Sequence, residues 1–451
     1  MYKKFTHALT WNSINTVSYK IILIAHQIVL FYVIPKELYA ISGTLFADLY
    51  LVIGFTNFGF EYSLFSFFNN IQANKKNTTY LIHQIALKIA ITLTAAYILH
   101  HLLSNSKTIN SSLLFNYTIP KAVTSCFIMI FITESIRKYI ETIAQLAFLN
   151  KKIARIQIAM ISLYVSAVWI SYAIHKTISI NILFAPLVAT SILEVAWTSY
   201  ALYQWHKSLP SANNNQTFHP ASSFMIKQQI YNYINQLGKN LFSPNFLMVL
   251  IAFNVSMQKA ADIRFFTNII TLLYMFFNKS VAIPSGALFA SIAHQNFKKT
   301  QLAFIEITNK YIQLLYFLAI IILSTCFTQI LTKYPENQTP YLILFFIFSG
   351  FIEYVTITYE KLYIVHNATQ QLALINFLTA SIFVVIIYTT KIPPTLLLLI
   401  ACVIRIIATI LISLYAHKNW SIFPVFRISK KTFMASILAS LFINTIITYL
   451  F

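Results

Sequence analysis

The sequence predicts an all-α polytopic membrane protein, and three observations support this prediction. Thirteen apolar stretches, each long enough to cross a bilayer, follow one another with little polar sequence between them. Hydrophobic residues make up 58% of the chain and charged residues 10%, which is too little charge to cover a water-soluble protein of this length. The apolar runs are continuous and do not alternate with polar residues, so helices are favoured over barrel strands.

Each span is placed by the rule that about 20 apolar residues cross about 30 Å of hydrocarbon. The thirteen predicted spans occupy residues 12–34, 41–68, 82–103, 118–148, 153–174, 180–203, 231–253, 261–292, 308–331, 340–365, 371–389, 394–416 and 433–450. The first span has no small-residue cleavage site after it and is expected to be retained as a signal anchor.

Lys and Arg in the connections predict the orientation, because basic residues are retained on the cytoplasmic side. One set of connections is rich in them: Lys3, Lys4, Lys75, Lys76, Lys151, Lys152, Arg155, Lys207, Lys227, Lys298, Lys299, Lys418, Arg427, Lys430 and Lys431. We therefore expect a cytoplasmic N-terminus and, if the thirteenth span crosses, an external C-terminus. The net charge of +21 also favours anionic lipid headgroups, and nucleic acid is not implied.

Polar positions recur after about 220 residues, which predicts an internal duplication. The matched pairs are Asn12 and Asn232, Asn15 and Asn235, Lys20 and Lys239, Glu134 and Glu353, and Glu141 and Glu360. Six spans lie between the copies, so both copies have the same orientation. The predicted organisation is an N-terminal lobe at 1–205, a cytoplasmic linker at 206–226, a C-terminal lobe at 227–417 and a segment with the thirteenth span at 418–451.

Two parallel six-helix lobes favour an alternating-access transporter that holds its substrate between the lobes. Ionisable groups at membrane depth cost about 2.5 to 3.5 kcal/mol each, so they usually face a partner or water. Cations outnumber acids in the spans, which predicts a positively charged cleft for an anionic substrate. The predicted substrate-binding residues are Lys20, Lys239, Lys88, Lys279 and Arg137. Lys20 and Lys239 are favoured because the repeat places both near the surface between the lobes, whereas Lys88 and Lys279 could equally snorkel to the membrane interface.

Other intramembrane charges have a second interpretation as structural ion pairs. Four of them share one face of the fourth span and could neutralise one another, an interpretation as good as a substrate role. They are Glu134, Arg137, Lys138 and Glu141. Arg405 is expected to pair with Glu194, which lies in the equivalent helix of the other lobe. The predicted structural ion-pair residues are Lys138, Glu141, Glu194 and Arg405, and the acids that could couple a proton or sodium ion are Glu134, Glu353 and Asp48.

Neither an enzyme nor a cofactor is predicted. The sequence shows no nucleophile elbow, metal-ligand cluster or phosphate-binding glycine loop. Cys126, Cys326 and Cys402 lie singly in apolar segments, without metal-ligand spacing. We expect no catalytic residues and no metal.

The first 70 residues resemble polysaccharide flippases, the Wzx-type members of the multidrug/oligosaccharidyl-lipid/polysaccharide exporter superfamily. The matching segments are Trp11 and Asn12, IPKELYAIS at 34–42, NFGFE at 57–61, and Ser63, Leu64 and Phe65. Span count and repeat extend the resemblance to about residue 416. It implies a V-shaped carrier in a bacterial inner membrane that exports O-antigen or another glycan on an undecaprenyl diphosphate for lipopolysaccharide assembly.

The implied partners are the lipid-linked glycan, membrane lipids and other polysaccharide assembly proteins. Three alternatives stay open. A flippase of lipid-linked peptidoglycan precursors shares the superfamily but usually has fourteen spans. A multidrug exporter shares the scaffold but usually carries organic cations, which a positive cleft should repel. A membrane glycosyltransferase or O-antigen polymerase would need larger external loops than this chain has.

Overall fold

The structure is a computed structural model that describes part of the chain. The described residues are 2–61, 64, 68, 75–104, 121–210, 222–243, 246, 360, 363, 364, 366, 368–389 and 394–420. The predicted eighth and ninth spans, the thirteenth span and most of the tenth lie outside them.

The described residues form helices, and this confirms the all-α prediction. Their bounds are α1 Tyr2–Val33, α2 Lys36–Phe55, α3 Lys75–Ser104, α4 Lys121–Leu146, α5 Asn150–His175, α6 Ile180–Ser208, α7 Ser222–Asn240, α8 Thr369–Thr389 and α9 Pro394–Trp420. Six of the described segments are long and apolar enough to cross a membrane: Thr10–Val33, Thr78–Leu103, Asn150–His175, Ile180–Ser208, Thr369–Ile387 and Leu399–Trp420. The chain is therefore a multi-pass membrane protein.

The predicted second span, 41–68, is wrong as one continuous helix. The helix α2 ends at Phe55, and a turn follows in which Phe58 and Gly59 have φ values of 51° and 71°. Left-handed residues commonly end helices, since they turn the chain away from the helix axis. Other predicted ends shift outward: α1 begins at Tyr2, and α6 and α7 extend into both ends of the predicted linker.

The helices α1 to α6, here called the N-terminal bundle, pack around α4. The helix α4 contacts α2, α3, α5 and α6, while α1 packs along α5. Phe127, Phe131, Val168 and Phe184 are fully buried between these helices. The side chains of Glu134, Arg137 and Glu141 in α4 are therefore buried in protein and do not face lipid.

Basic helix ends gather at one end of the N-terminal bundle. The Lys75 amide donates to the Pro210 carbonyl at 3.2 Å, which joins the start of α3 to the end of α6. Lys151 lies over the Trp11 ring and Lys152 Nζ donates to Gln204 Oε1 at 3.1 Å. Connections that were grouped by their positive charge in the sequence thus lie together.

The helices α7, α8 and α9, here called the C-terminal helices, pack in sequence: α7 on α8, and α8 on α9. Gly238 allows the close approach of α7 to α8, since a Cβ atom there would lie 2.6 Å from the Asn376 carbonyl oxygen. Phe242 stacks on Phe383 with ring centroids 4.9 Å apart.

The junction between the N-terminal bundle and the C-terminal helices is formed by α7 and the turn after α2. Tyr233 donates its hydroxyl to the Phe55 carbonyl at 2.8 Å and stacks on Phe58 with centroids 5.0 Å apart. A Cβ atom on Gly59 would lie 2.5 Å from the Gln229 carbonyl oxygen. Glycine is therefore needed at this position both for the left-handed backbone conformation and for the close packing of the turn against the α7 backbone.

Candidate functional site

The largest buried ionic cluster of the described residues surrounds Arg137 in α4. Its Nε and Nη2 atoms donate to the two carboxylate oxygens of Glu134 at 2.8 and 2.6 Å. Its Nη1 atom donates to Glu194 in α6 at 2.9 Å and to Glu141 at 3.3 Å. The guanidinium is thus held in a bidentate pair and two further charge-assisted bonds, which is a strong and rigid arrangement.

Neutral donors complete this cluster. Ser191 donates to Glu134 at 3.3 Å, and Gln145 donates to Glu141 at 2.9 Å. Gln157 in α5 donates to Glu194 at 3.0 Å and accepts a bond from Asn15 in α1 at 2.6 Å. The bonds tie α1, α4, α5 and α6 together, so the cluster stabilises the bundle whatever else it does.

The C-terminal helices hold a smaller ionic contact. Lys239 at the end of α7 donates to Glu360 Oε2 at 2.8 Å. The side chain of Lys239 is 11% exposed and that of Glu360 is 2% exposed. This pair is therefore almost dry, with the ammonium the more accessible partner.

Matching amide bonds join equivalent helices in the two halves of the chain. Asn15 in α1 bonds Gln157 in α5, and Asn235 in α7 bonds Asn376 in α8, also at 2.6 Å. The bonded residues are 142 and 141 positions apart, so the two contacts have nearly the same spacing along the chain. This is the relation that the predicted duplication requires.

Lys20 and Lys138 contact aromatic rings. Lys20 in α1 is 9% exposed, and its Nζ lies 5.5 Å from the centroid of the Tyr19 ring. Lys138 Nζ lies 4.9 Å from the Tyr50 ring centroid. Rings accept cations on their faces, so both lysines have part of their solvation replaced by protein.

Lys88 lies at the junction, and its hydrogen bonds are to neutral groups, while the charges of Glu61 and Lys138 lie close enough to act on it. It is 2% exposed, and its Nζ donates to Asn57 Oδ1 at 3.2 Å and to the Thr56 carbonyl at 3.4 Å. The same atom lies 5.8 Å from the Phe60 ring centroid. Asn57 donates in turn to Gln236 Oε1 in α7 at 3.3 Å. Lys88 therefore points into protein here and does not snorkel to the membrane interface.

Of the remaining residues predicted to bind substrate or a coupling ion, the structure describes two and does not describe two others. Asp48 in α2 is fully buried, and Glu134 is bound to Arg137 and Ser191. Lys279 and Glu353 lie outside the described residues.

The expected ion pair between Arg405 and Glu194 is wrong. Glu194 binds Arg137 within the N-terminal bundle, while Arg405 in α9 donates to Asn376 Oδ1 at 3.2 Å and lies 5.4 Å from the Phe242 ring centroid. Each residue thus bonds to an adjoining helix of its own half, Glu194 to α4 and Arg405 to α8.

The expected excess of intramembrane cations is not found among the described residues. Apart from Lys75 at the start of α3, the buried and half-buried cations are Lys20, Lys88, Arg137, Lys138, Lys239 and Arg405. The buried and half-buried acids are Asp48, Glu61, Glu134, Glu141, Glu194 and Glu360. Overall cation excess therefore does not decide the ligand, and the partners of individual cations matter more.

Sequence reasoning missed the role of Gln157 and Asn150. Gln157 links Asn15 to Glu194, and Asn150 donates to Asn12 at 2.8 Å. A usable signal was present, because the repeat offset that maps Lys20 onto Lys239 also maps Gln157 onto Asn376. In the described part of the chain, no group of three or more His, Cys, Asp or Glu residues could hold a metal ion.

Comparison with known proteins gives a clear result at the level of fold. No family model and no curated sequence matches the chain. It is similar to a multidrug resistance MATE family transporter of the MOP superfamily in an outward-facing conformation, with a TM-score of 0.66, 10% identity and coverage of 93% of this chain and 96% of that one. The chain has the fold of the MATE transporters.

Two further structures agree. A MOP superfamily transporter from Pyrococcus furiosus, described as having a reversed polarity of its binding pocket, matches with a TM-score of 0.62, 10% identity and coverage of 93% and 96%. A mutant of the Vibrio cholerae MATE transporter VcmN matches with a TM-score of 0.60, 10% identity and coverage of 93% and 97%. At this identity the likeness establishes the fold and leaves the substrate to be argued from the site.

Proposed function

We propose that this chain is an alternating-access flippase that moves a polyprenyl-diphosphate-linked oligosaccharide from the cytoplasmic to the periplasmic leaflet of a bacterial inner membrane. The fold supports a transporter, because the similar structures are named as MATE and MOP superfamily transporters and are matched over nearly their whole length. The proposal includes a cytoplasmic N-terminus, with the clustered basic helix ends on the cytoplasmic side.

The observation that best supports an anionic substrate is the environment of Lys88. A buried ammonium hydrogen-bonded to an amide and a carbonyl, at the junction of the two halves, has capacity left for a stronger acceptor. Phosphate oxygens form charge-assisted bonds that are roughly twice as strong as neutral ones. Lys20 and Lys239 complete the proposed set because the repeat places them on the first helix of each half. In contrast, Arg137 binds three carboxylates, so in this state it is assigned to structure.

The mechanism follows from the chemistry of the substrate. A diphosphate and its glycan cannot cross hydrocarbon unaided, so fixed cations and hydroxyls must replace their water while the polyprenyl tail stays in lipid. Rocking of the two halves would then present the headgroup to the other side. A negative-inside potential favours expulsion of an anion by about 2.3 kcal/mol per charge per 100 mV. Asp48, Glu134 and Glu353 remain the proposed residues for a coupled proton or sodium ion.

A cation exporter is the second candidate. It is favoured by the multidrug description of a similar structure and by buried acids such as Asp48. The two candidates demand opposite ligands, which makes them separable in one preparation.

The test uses the purified chain in proteoliposomes loaded with a labelled polyprenyl diphosphate sugar. We expect transbilayer movement in the wild type and its loss in Lys20→Ala and Lys239→Ala when equal amounts of folded protein are reconstituted. Lys152→Ala is the matched control, because this lysine is exposed. Normal movement in both variants would remove Lys20 and Lys239 from the site, and efflux of ethidium without lipid movement would replace the flippase by the cation exporter.

A further inference from the structure

We infer that Lys88 is a switch residue. In the conformation of this structure it holds the N-terminal bundle and the C-terminal helices together at the junction, and when they separate there it binds the anionic headgroup. The inference rests on the proposed function for the identity of the anion. The role of Lys88 in holding the junction rests on geometry alone.

Lys88 supplies two of the polar contacts of the turn after α2. The last carbonyls of a helix have no partner within that helix, and a cation at this end also interacts favourably with the helix dipole. Lys88 in α3 supplies a hydrogen-bond donor and a positive charge at this helix end. Its Nζ donates to the Thr56 carbonyl and to Asn57 Oδ1. Its position therefore fixes the side chain of Asn57.

Asn57 carries this constraint to the other half of the chain. With its oxygen held by Lys88, its amide nitrogen is directed at Gln236 in α7, at 3.3 Å. Phe58 and Gly59 in the same turn pack on α7 directly. Lys88, the turn and α7 thus form one continuous contact between the two halves.

Separation of α7 from the turn would release this contact. Asn57 would lose Gln236, and the surface vacated by α7 would lie next to Lys88. Burial of this ammonium at membrane depth is costly, and the two neutral acceptors and the nearby Glu61 carboxylate offset only part of the cost. An arriving diphosphate gains a charge-assisted bond and offsets more of it. Headgroup binding would then favour the separated state, because a ligand shifts an equilibrium only through different affinities for the two states.

The experiment measures closure of the junction at a contact that does not involve Lys88 or the turn after α2. Gln84 in α3 and Gln229 in α7 bond across it at 3.4 Å, so a Gln84→Cys/Gln229→Cys pair, with the three native cysteines changed to Ala, reports contact through a short bismaleimide. The protein is the full chain in phosphatidylcholine nanodiscs. Lys88, Asn57, Phe58, Tyr233 and Gln236 all stay intact in this reference protein.

The first comparison has no ligand. Lys88→Met should lower the rate of cross-linking about fivefold, because the two bonds that order the turn are lost. Lys152→Met, at an exposed lysine, should leave the rate unchanged. An unchanged rate in Lys88→Met would overturn the switch, and so would an equal drop in both variants, since it would show no specific role for Lys88.

The second comparison adds farnesyl diphosphate, with farnesol as the uncharged control. The diphosphate should lower cross-linking about threefold in the Lys88 protein and leave Lys88→Gln unchanged, while farnesol affects neither. An equal effect of the diphosphate on both proteins, or no effect on either, would overturn headgroup binding by Lys88. Failure of lipid movement in proteoliposomes would instead reject the proposed function and leave the first comparison standing.

Discussion

Each half of the chain has a hydrogen-bonded pair of side-chain amides between two helices. In one half this pair binds a negative group, and in the other it binds a positive group. In the N-terminal bundle, Asn15 bonds Gln157, which bonds the carboxylate of Glu194 in α6. In the C-terminal helices, Asn235 bonds Asn376, which bonds the guanidinium of Arg405 in α9. At the positions that the predicted repeat relates, amides are therefore kept while the ionisable groups that they bind differ in sign.

A second difference concerns the partners of the repeated carboxylates. Glu141 and Glu360 are related by the same offset as Lys20 and Lys239. Glu360 binds Lys239, whereas Glu141 binds Arg137. The position related to Arg137 in the second copy is a threonine, Thr356. The two carboxylates that the repeat relates thus have different partners: Arg137 binds three carboxylates, and Lys239 binds the carboxylate of Glu360.

The largest expected effect tests the anchored half. Arg137→Leu leaves three buried carboxylates without their guanidinium, and breaking such a buried pair costs about 3 to 5 kcal/mol. We expect the variant to lose thermal stability in detergent or to fail to accumulate in membranes. Arg155→Leu is the matched control, because Arg155 is exposed on α5.

Wild-type accumulation and melting temperature in Arg137→Leu would contradict an anchoring role. In that event Arg137 would return to the set of substrate-binding cations, and the contrast between the halves would disappear. Arg137→Lys offers an intermediate case, since a lysine cannot form the bidentate bond to Glu134.

An intermediate effect is expected for the pair in the C-terminal helices. Glu360→Gln should cost about 2 kcal/mol, since it removes a charge-assisted bond from a nearly dry site. The exchange Lys239→Glu/Glu360→Lys restores opposite charges and should recover melting temperature. It should not recover lipid movement, because the ammonium has left α7.

Recovery of both stability and lipid movement in the exchanged protein would assign Lys239 to structure alone. Loss of stability in the exchange beyond that of Glu360→Gln would show that the site also discriminates the position of the charge. Melting temperature and lipid movement can both be measured on the same purified proteins, prepared at matched expression.

The sequence predicted the helices well because long apolar runs have few alternatives in a membrane. It also singled out Asn15 and Asn235, since polar residues in apolar helices are costly and stand out at a repeat offset. The break in the second span was missed because Phe58 gives no sign of its positive φ, although Gly59 beside it does.

The ionic partners could not be predicted in the same way. A spacing argument cannot rank Arg137 against Arg405 as the partner of Glu194, and the packing of α6 on α4 decides for Arg137. Lys88 was recognised as an intramembrane cation, but its partners lie across the junction. Such contacts depend on tertiary packing, which periodicity does not report.

The smallest expected effect concerns the packing of the two first helices. The position of Gly238 in α7 corresponds by the repeat offset to Tyr19 in α1, so the C-terminal helices alone have a glycine there. Gly238→Ala forces a Cβ atom against the Asn376 backbone and should cost about 1 to 2 kcal/mol. Gly54→Ala meets the side-chain amide of Asn240, which can move aside, and should cost less. Equal melting temperatures for the two variants would show that α7 can shift away from α8, so that the two halves do not differ in how closely their first helices must pack.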